Sequence, residues 1–117
     1  MKHFEKNINS GIRGEANNAN PFDQYAVDYD RWFDTPSGAE IFRRELDCLR
    51  PIVNSDHRRW LEVGCGTSRF ASALGVLDGV DPSPAMVNIS LTRRIAAIVA
   101  DGENLPYSDN SFEGVLL

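Results

Sequence analysis

The run Leu61-Glu62-Val63-Gly64-Cys65-Gly66-Thr67 restricts this chain more than any other stretch. It joins a short apolar segment, Trp60 to Val63, to a Gly-x-Gly turn and then to a helix start. Glycine lets the backbone take φ > 0 and lets a ligand approach main-chain atoms with no Cβ in the way. A strand feeding such a turn builds the crevice of an open α/β sheet, at the carboxyl ends of the strands. The stretch thus predicts an architecture and a place on it for a nucleotide-type ligand.

The segments around it continue the pattern. Residues 1–20 are polar and rich in Asn, with Gly11 and Gly14, and are expected to form a disordered arm. From Pro21 onward Phe22, Tyr25, Ala26, Tyr29 and Phe33 recur at three- and four-residue steps, the face of a helix. Thr35-Pro36 is expected to break it, and Ser37-Gly38-Ala39-Glu40 fits a capping box opening a helix through about Leu49, stopped by Pro51. Trp60 to Val63 is strand one. Thr67 or Ser68 is expected to cap a short helix carrying Phe70, Ala71 and Leu74, with Gly75 just past its end. Val76 to Val80 is strand two. Ser83-Pro84, an N-cap followed by proline at the first helical position, opens a helix through about Leu91. Ile95 to Ala100 is strand three, residues 101–112 a loop, and Phe112 to Leu117 strand four. Alternating strands and helices imply parallel pairing with right-handed crossovers. The expectation is a Rossmann-like α/β sheet, incomplete at about four strands in the order 3-2-1-4, with helices N-terminal to it.

Composition narrows the partners. A formal charge of −5 disfavours a nucleic-acid backbone. No apolar run approaches the roughly 20 residues of a membrane span, and residues 1–20 hold no apolar signal region. Cys48 and Cys65 show no metal spacing and read as two reduced thiols of a cytoplasmic protein. His3 and His57 have no partners at catalytic spacing, and Asp56-His57-Arg58-Arg59 reads as a solvated loop before strand one.

Three acidic residues fall at or beside the carboxyl ends of successive strands: Glu62 beside the glycine turn, Asp81 after strand two, Asp101 after strand three. With parallel strands all three reach one edge of the sheet. Asp81 is placed to accept ribose hydroxyls and Asp101 an adenine amino group. A pyrophosphate wants amide donors or basic groups at a helix N-terminus. The third glycine of the dinucleotide fingerprint is replaced here by Arg69. Three carboxylates suit a cation instead, and S-adenosylmethionine, with its sulfonium and ammonium against one carboxylate, is such a ligand.

The chain resembles the class I S-adenosylmethionine-dependent methyltransferases, and within them the ubiquinone/menaquinone biosynthesis group. Leu61 to Phe70 resembles the first motif, Gly79-Val80-Asp81-Pro82-Ser83-Pro84-Ala85-Met86-Val87 the ribose-binding segment, and Ala100 to Glu113 the adenine loop and entry to strand four. The likeness covers residues 21–117. It implies that Gly64 and Gly66 pass close to the methionine and ribose portions, that Asp81 binds the ribose, that Met86 or its neighbour packs on adenine, and that Asp101 and Gly102 meet the adenine edge; Tyr25, Glu62 and Pro82 are counted with them as cofactor-binding candidates. Tyr25, Tyr29 and Trp32 resemble a Tyr-Asp-x-Trp stretch on an N-terminal helix that folds over the cofactor. The acceptor implied is a small molecule. Glu113 stands where the family has aspartate.

Other readings stand beside these. Gly64 and Gly66 also make a tight turn and nothing more, Asp81 also caps a helix beside Ser83, and Asp101 also serves as a turn aspartate. Glu62 also serves as a structural hydrogen-bond acceptor, Met86 as a core residue, and Tyr25 and Tyr29 as packing on one helical face. A non-catalytic adenosyl-binding or interaction module and half of an NAD-dependent oxidoreductase are the rival functions. The family pattern continues past strand four, so the expectation is a cofactor-binding half without independent catalytic competence. The apolar strand-four edge (Val115, Leu116, Leu117) is expected to pair with another chain, a homodimer included. No residue presents itself as a catalytic base.

Overall fold

The computed structural model describes residues 21–53 and 59–117, the side chains of Pro21 and Phe22 excepted. The arm expected at 1–20, both histidines and most of the loop before strand one lie outside these residues. Among the described residues the elements run α1 (Pro21–Trp32), α2 (Pro36–Leu49), β1 (Trp60–Val63), α3 (Arg69–Leu74), β2 (Asp78–Asp81), α4 (Pro84–Thr92), β3 (Ala96–Val99) and β4 (Gly114–Leu116). The sheet is wholly parallel in the order β3-β2-β1-β4. This is the Rossmann-like arrangement expected from the alternation of elements, and it sets the carboxyl ends of all four strands on one rim.

Several boundaries differ from the sequence expectation, each for a local reason. The α2 cap is Thr35, not Ser37: its Oγ1 accepts from the Gly38 amide at 3.1 Å, and Pro36 takes the first helical position. Proline has no N–H to lose there and its φ is already helical, so Thr35-Pro36 starts a helix as well as ending one. Gly38 is required at this corner, because a Cβ would lie 2.0 Å from the Trp32 carbonyl oxygen. Strand two begins at Asp78, not Val76, since the Val76 amide closes the end of α3 on the Ala71 carbonyl at 2.9 Å. Strands three and four are likewise shorter than their apolar runs. Ser83 caps α4 as expected, accepting from the Met86 amide at 3.3 Å, and Gly75 closes α3 at φ +78°. Ser68 occupies the N-cap position of α3 but makes no side-chain cap bond.

The core lies between the sheet and α2, α3 and α4, built on Leu46, Val53, Cys65, Ala71, Leu74, Val76, Val87, Ile95 and Ala97. Phe33, Phe42 and Phe70 stack edge-to-face at its upper side, with Phe42 and Phe70 centroids 4.7 Å apart. A second cluster joins α1 to α4 through Ala26, Ala85 and Met86, with Tyr25, Tyr29 and Ile89 around them. Helix α1 is thereby laid across the carboxyl rim of the sheet. Both cysteines are free thiols. Among the described residues no helix is long and apolar enough to cross a membrane.

Candidate functional site

The turn after β1 is pinned before any ligand is considered. The Gly64 and Cys65 amides both donate to the Val80 carbonyl, at 2.8 and 2.9 Å. Gly64 (φ +76°), Gly66 (φ +57°) and Ser68 (φ +66°) all take left-handed backbone. The glycines do so without a Cβ penalty, whereas for Ser68 the conformation costs about 1–2 kcal/mol. Hydrogen bonds hold it there: Ser68 Oγ donates to Ser90 Oγ at 2.7 Å, and Ser90 Oγ donates to the Gly66 carbonyl at 2.7 Å. Both serines are fully buried.

Asp81 is the strut between this turn and α4. Its Oδ2 accepts from the Gly66 amide and its Oδ1 from the Ser83 amide, both at 2.9 Å, and it is 5% exposed. A carboxylate has about four acceptor sites, so each oxygen keeps one for a hydroxyl. The capping role weighed in the sequence is thus present, together with a contact to the glycine turn that no spacing rule predicts.

Tyr29 lies directly over the turn: its Cε1 is 3.7 Å from where a Cβ on Gly66 would sit. Burial, and then the negative charges of Asp81, Glu62, Glu45 and Asp30, push its phenol above the ordinary value, so it stays a neutral O–H donor. Beside it opens a cleft of about 290 Å³ lined by Tyr29, Glu45, Leu49, Glu62, Gly64, Cys65, Phe70, Leu116 and Leu117. Glu62 is buried at its floor, 7% exposed. The cleft carries two carboxylates and, among its lining residues, no basic side chain. Burial pushes the Cys65 thiol up, so it stays protonated.

The remaining predicted residues fall into two groups. Met86 is 5% exposed and packed beneath α1 against Ala26 and Ala85, a core position. Tyr25 is half-buried, its ring 6.0 Å from that of Tyr29. Pro82 is exposed at the same rim. Asp101 and Gly102 are exposed too. Asp101 Oδ1 accepts from the Glu103 amide at 2.7 Å, the turn role weighed above. The loop nevertheless reaches the rim, since a Cβ on Gly102 would meet Val63 Cγ1 at 3.2 Å and the Ala100 amide donates to the Asp81 carbonyl at 3.1 Å.

Asp30 is the site residue that sequence reasoning missed. It binds Thr67 Oγ1 at 2.7 Å, Arg69 Nε at 2.9 Å and Nη2 at 3.1 Å, and Arg93 Nη2 at 2.9 Å. Its burial opposes ionisation, but the bonds from Arg69, Arg93 and Thr67 prevail and hold its carboxyl well below the usual range. Arg69 is equally committed. It bridges Asp30 and the exposed Asp34, and its guanidinium lies over the Phe33 ring. The residue at the place of the third fingerprint glycine therefore faces carboxylates of α1 and the turn after it, where a phosphate would need a free donor. The one signal for Asp30 was its place after Tyr29 in the Tyr-Asp-x-Trp stretch.

Comparison with known proteins agrees with this geometry. A family model described as a methyltransferase domain matches residues 61–117. An uncharacterised protein of Methanocaldococcus jannaschii is 40% identical over 98 residues, 84% of this chain and 46% of that protein. An uncharacterised methyltransferase of Bacillus pumilus is 37% identical over 101 residues, with 79% of this chain and 46% of that protein covered. A crystal structure of a SAM-dependent methyltransferase from Thermotoga maritima superposes with a TM-score of 0.64 at 34% identity, covering 80% of this chain and 44% of that one. The chain spans about half the length of these relatives. The parallel sheet, the pinned glycine turn and these likenesses together support a place for the chain in the class I S-adenosylmethionine-dependent methyltransferase family.

Proposed function

We propose that this chain binds S-adenosylmethionine along the carboxyl rim of the sheet and provides the cofactor-binding half of a methyltransferase acting on a small molecule. The observation that carries the reading is the cleft beside Gly64. It is open, it is walled by Glu62 and Glu45, and Tyr29 covers the turn next to it. Charge of that sign favours a ligand with an ammonium and a sulfonium and disfavours a pyrophosphate. When bound, S-adenosylmethionine supplies an electrophilic methyl group on a good leaving group.

The residues present fit that ligand. Glu62 and the Gly64–Gly66 backbone face the amino-acid end, and Asp81 offers one remaining acceptor site on each oxygen to the ribose hydroxyls. Asp101 and Gly102 take the adenine edge from the exposed side, with Pro82 beside it. Met86 supports the rim from beneath α1. Tyr25 and Tyr29 close over the turn, and Tyr29 offers a neutral hydroxyl to orient the acceptor. Orientation is the main demand on the protein, worth on the order of 7–11 kcal/mol at best in a well-aligned displacement. A base is needed only for an acceptor that must lose a proton. On this reading residues 21–117 form one cofactor-binding unit of a cytoplasmic protein. Edge strand β4, with Val115 and Leu117 exposed, then pairs with a further strand, and sedimentation of the purified chain reports whether a second copy supplies it.

Calorimetric titration tests the reading. S-adenosylhomocysteine is expected to bind at one site per chain, and NAD to give no saturable heat. NAD binding, or no binding of either, refutes it. Saturable binding by a protein that never transfers a methyl group in its full-length form leaves the non-catalytic adenosyl-binding module as the correct function.

A further inference from the structure

We infer that Asp30 is a positioning residue of the ligand site, one that sets the glycine turn and the overlying Tyr29 in a single contact. The inference rests on the cofactor-binding reading above. All the acceptor capacity of the Asp30 carboxylate is used: Oδ1 takes Thr67 Oγ1 and Arg69 Nε, and Oδ2 takes Arg69 Nη2 and Arg93 Nη2. The contact ends on the turn itself. Thr67, 2% exposed, is gripped twice, its hydroxyl donating to Asp30 and its carbonyl accepting from Arg93 Nη1 at 3.1 Å. Helix α1 is already attached to the body of α4 through Ala26, Ala85 and Met86. The Asp30 contact adds a hold on the residue between left-handed Gly66 and left-handed Ser68.

Tyr29 immediately precedes Asp30 and lies over Gly66. Asp30 held on Thr67 therefore helps keep Tyr29 over the turn, beside the apolar contacts of Ala26 with Ala85 and Met86 that also seat α1. The outer half of the array, Arg69 to Asp34, ties the segment after α1 to α3 without touching the glycine turn, and Asp34 is 67% exposed there. Asp30 on α1 and Asp34 in the turn after it thus separate positioning from attachment.

The test compares Asp30→Asn, Thr67→Val, Thr67→Ser and Asp34→Asn in the 117-residue chain, with S-adenosylhomocysteine as the calorimetric probe and amide hydrogen exchange of residues 65–68 as a ligand-free readout. Asp30→Asn is expected to weaken binding at least tenfold and Thr67→Val three- to tenfold, both with faster exchange across the turn. Thr67→Ser keeps the hydroxyl and is expected to keep parental affinity. Asp34→Asn is expected to change affinity less than twofold while lowering the melting temperature. If Asp30→Asn fails to fold, Thr67→Val decides. Parental affinity and parental exchange in folded Thr67→Val overturn the inference. So does affinity that tracks melting temperature across all the variants, Asp34→Asn included. If the parent chain binds no S-adenosylhomocysteine, the cofactor reading fails by itself, and the exchange comparison still decides the role of Asp30.

Discussion

The two flanks of the carboxyl rim are built differently. On the α1–α4 flank turn residues 65–68, Asp81, Asp30 and Ser90 are buried or half-buried and joined by hydrogen bonds of 2.7–3.1 Å. On the flank formed by residues 101–106 every residue is exposed, and Asp101 bonds only within its own loop, its side chain to the Glu103 amide and its carbonyl to the Asn104 amide. The first flank is organised before a ligand arrives. The second is solvent-exposed and held by local turn bonds. Preorganised groups lose little entropy on binding. Affinity should therefore be concentrated in the buried flank and discrimination among bases in the exposed one.

The sharpest way to break that contrast is Asp81→Ala. It leaves the buried Gly66 amide without an acceptor and frees the start of α4. The expected result is a loss of about 2–4 kcal/mol of stability and of at least a hundredfold in S-adenosylhomocysteine affinity, read by denaturant titration and calorimetry. An Asp81→Ala chain that binds nearly as well as the parent would mean that the buried flank is only scaffold.

Steric fit on the same flank gives the next effect. A Cβ on Gly79 would lie 2.9 Å from both Cβ and Sγ of Cys65. Gly79→Ala must push β2 away from the turn, and should destabilise by about 1–3 kcal/mol with a smaller loss of affinity. Thermal melts in the presence and absence of S-adenosylhomocysteine separate the two.

The third prediction concerns pH. The Asp30 carboxyl is held below its ordinary value of 3.8, so its stabilisation is present in full above that value and is lost as pH falls below it. Arg69, Arg93, Thr67 and, through Arg69, Asp34 are the groups that face it. Parent stability is expected to fall more steeply than that of Asp30→Asn below about pH 4, by about 1–2 kcal/mol after allowance for solvent screening. Parallel acid curves for the two proteins would show that Asp30 contributes no more than an ordinary surface carboxylate.

The same contrast marks what the amino-acid order could reveal. Strand β1 is legible residue for residue, because its apolar run stops at a glycine that must leave the strand. Asp81 and the glycine turn are legible because their roles depend on sequence neighbours: strand, turn, helix start. The start of β2 is not, since whether Val76 extends the strand or closes α3 is settled by the Ala71 carbonyl across the helix end. Nor is Asp30, whose partners Thr67 and Arg93 are 37 and 63 residues away. Periodicity reports which face of α1 is apolar but is silent on a carboxylate at the border of that face. Arg69 shows the limit from the other side. Its position in the fingerprint was visible, and its use was decided by a helix nearly forty residues earlier in the chain.

The smallest effect belongs to the exposed flank and tests whether it touches a ligand at all. The Asp101 side chain contributes one solvent-exposed turn bond, so Asp101→Asn, which keeps an acceptor oxygen, should leave the melting temperature of the free chain unchanged. An exposed hydrogen bond to an adenine amino group is worth about 0.5–1.5 kcal/mol, a two- to tenfold loss of S-adenosylhomocysteine affinity. The same substitution should matter less for the analogue with hypoxanthine in place of adenine, which has no amino group to donate. Equal losses for both ligands would place the effect of Asp101 in the turn and leave the base unread by this loop. A loss confined to the adenine form would make the exposed flank the reader of the base and the buried flank the source of affinity.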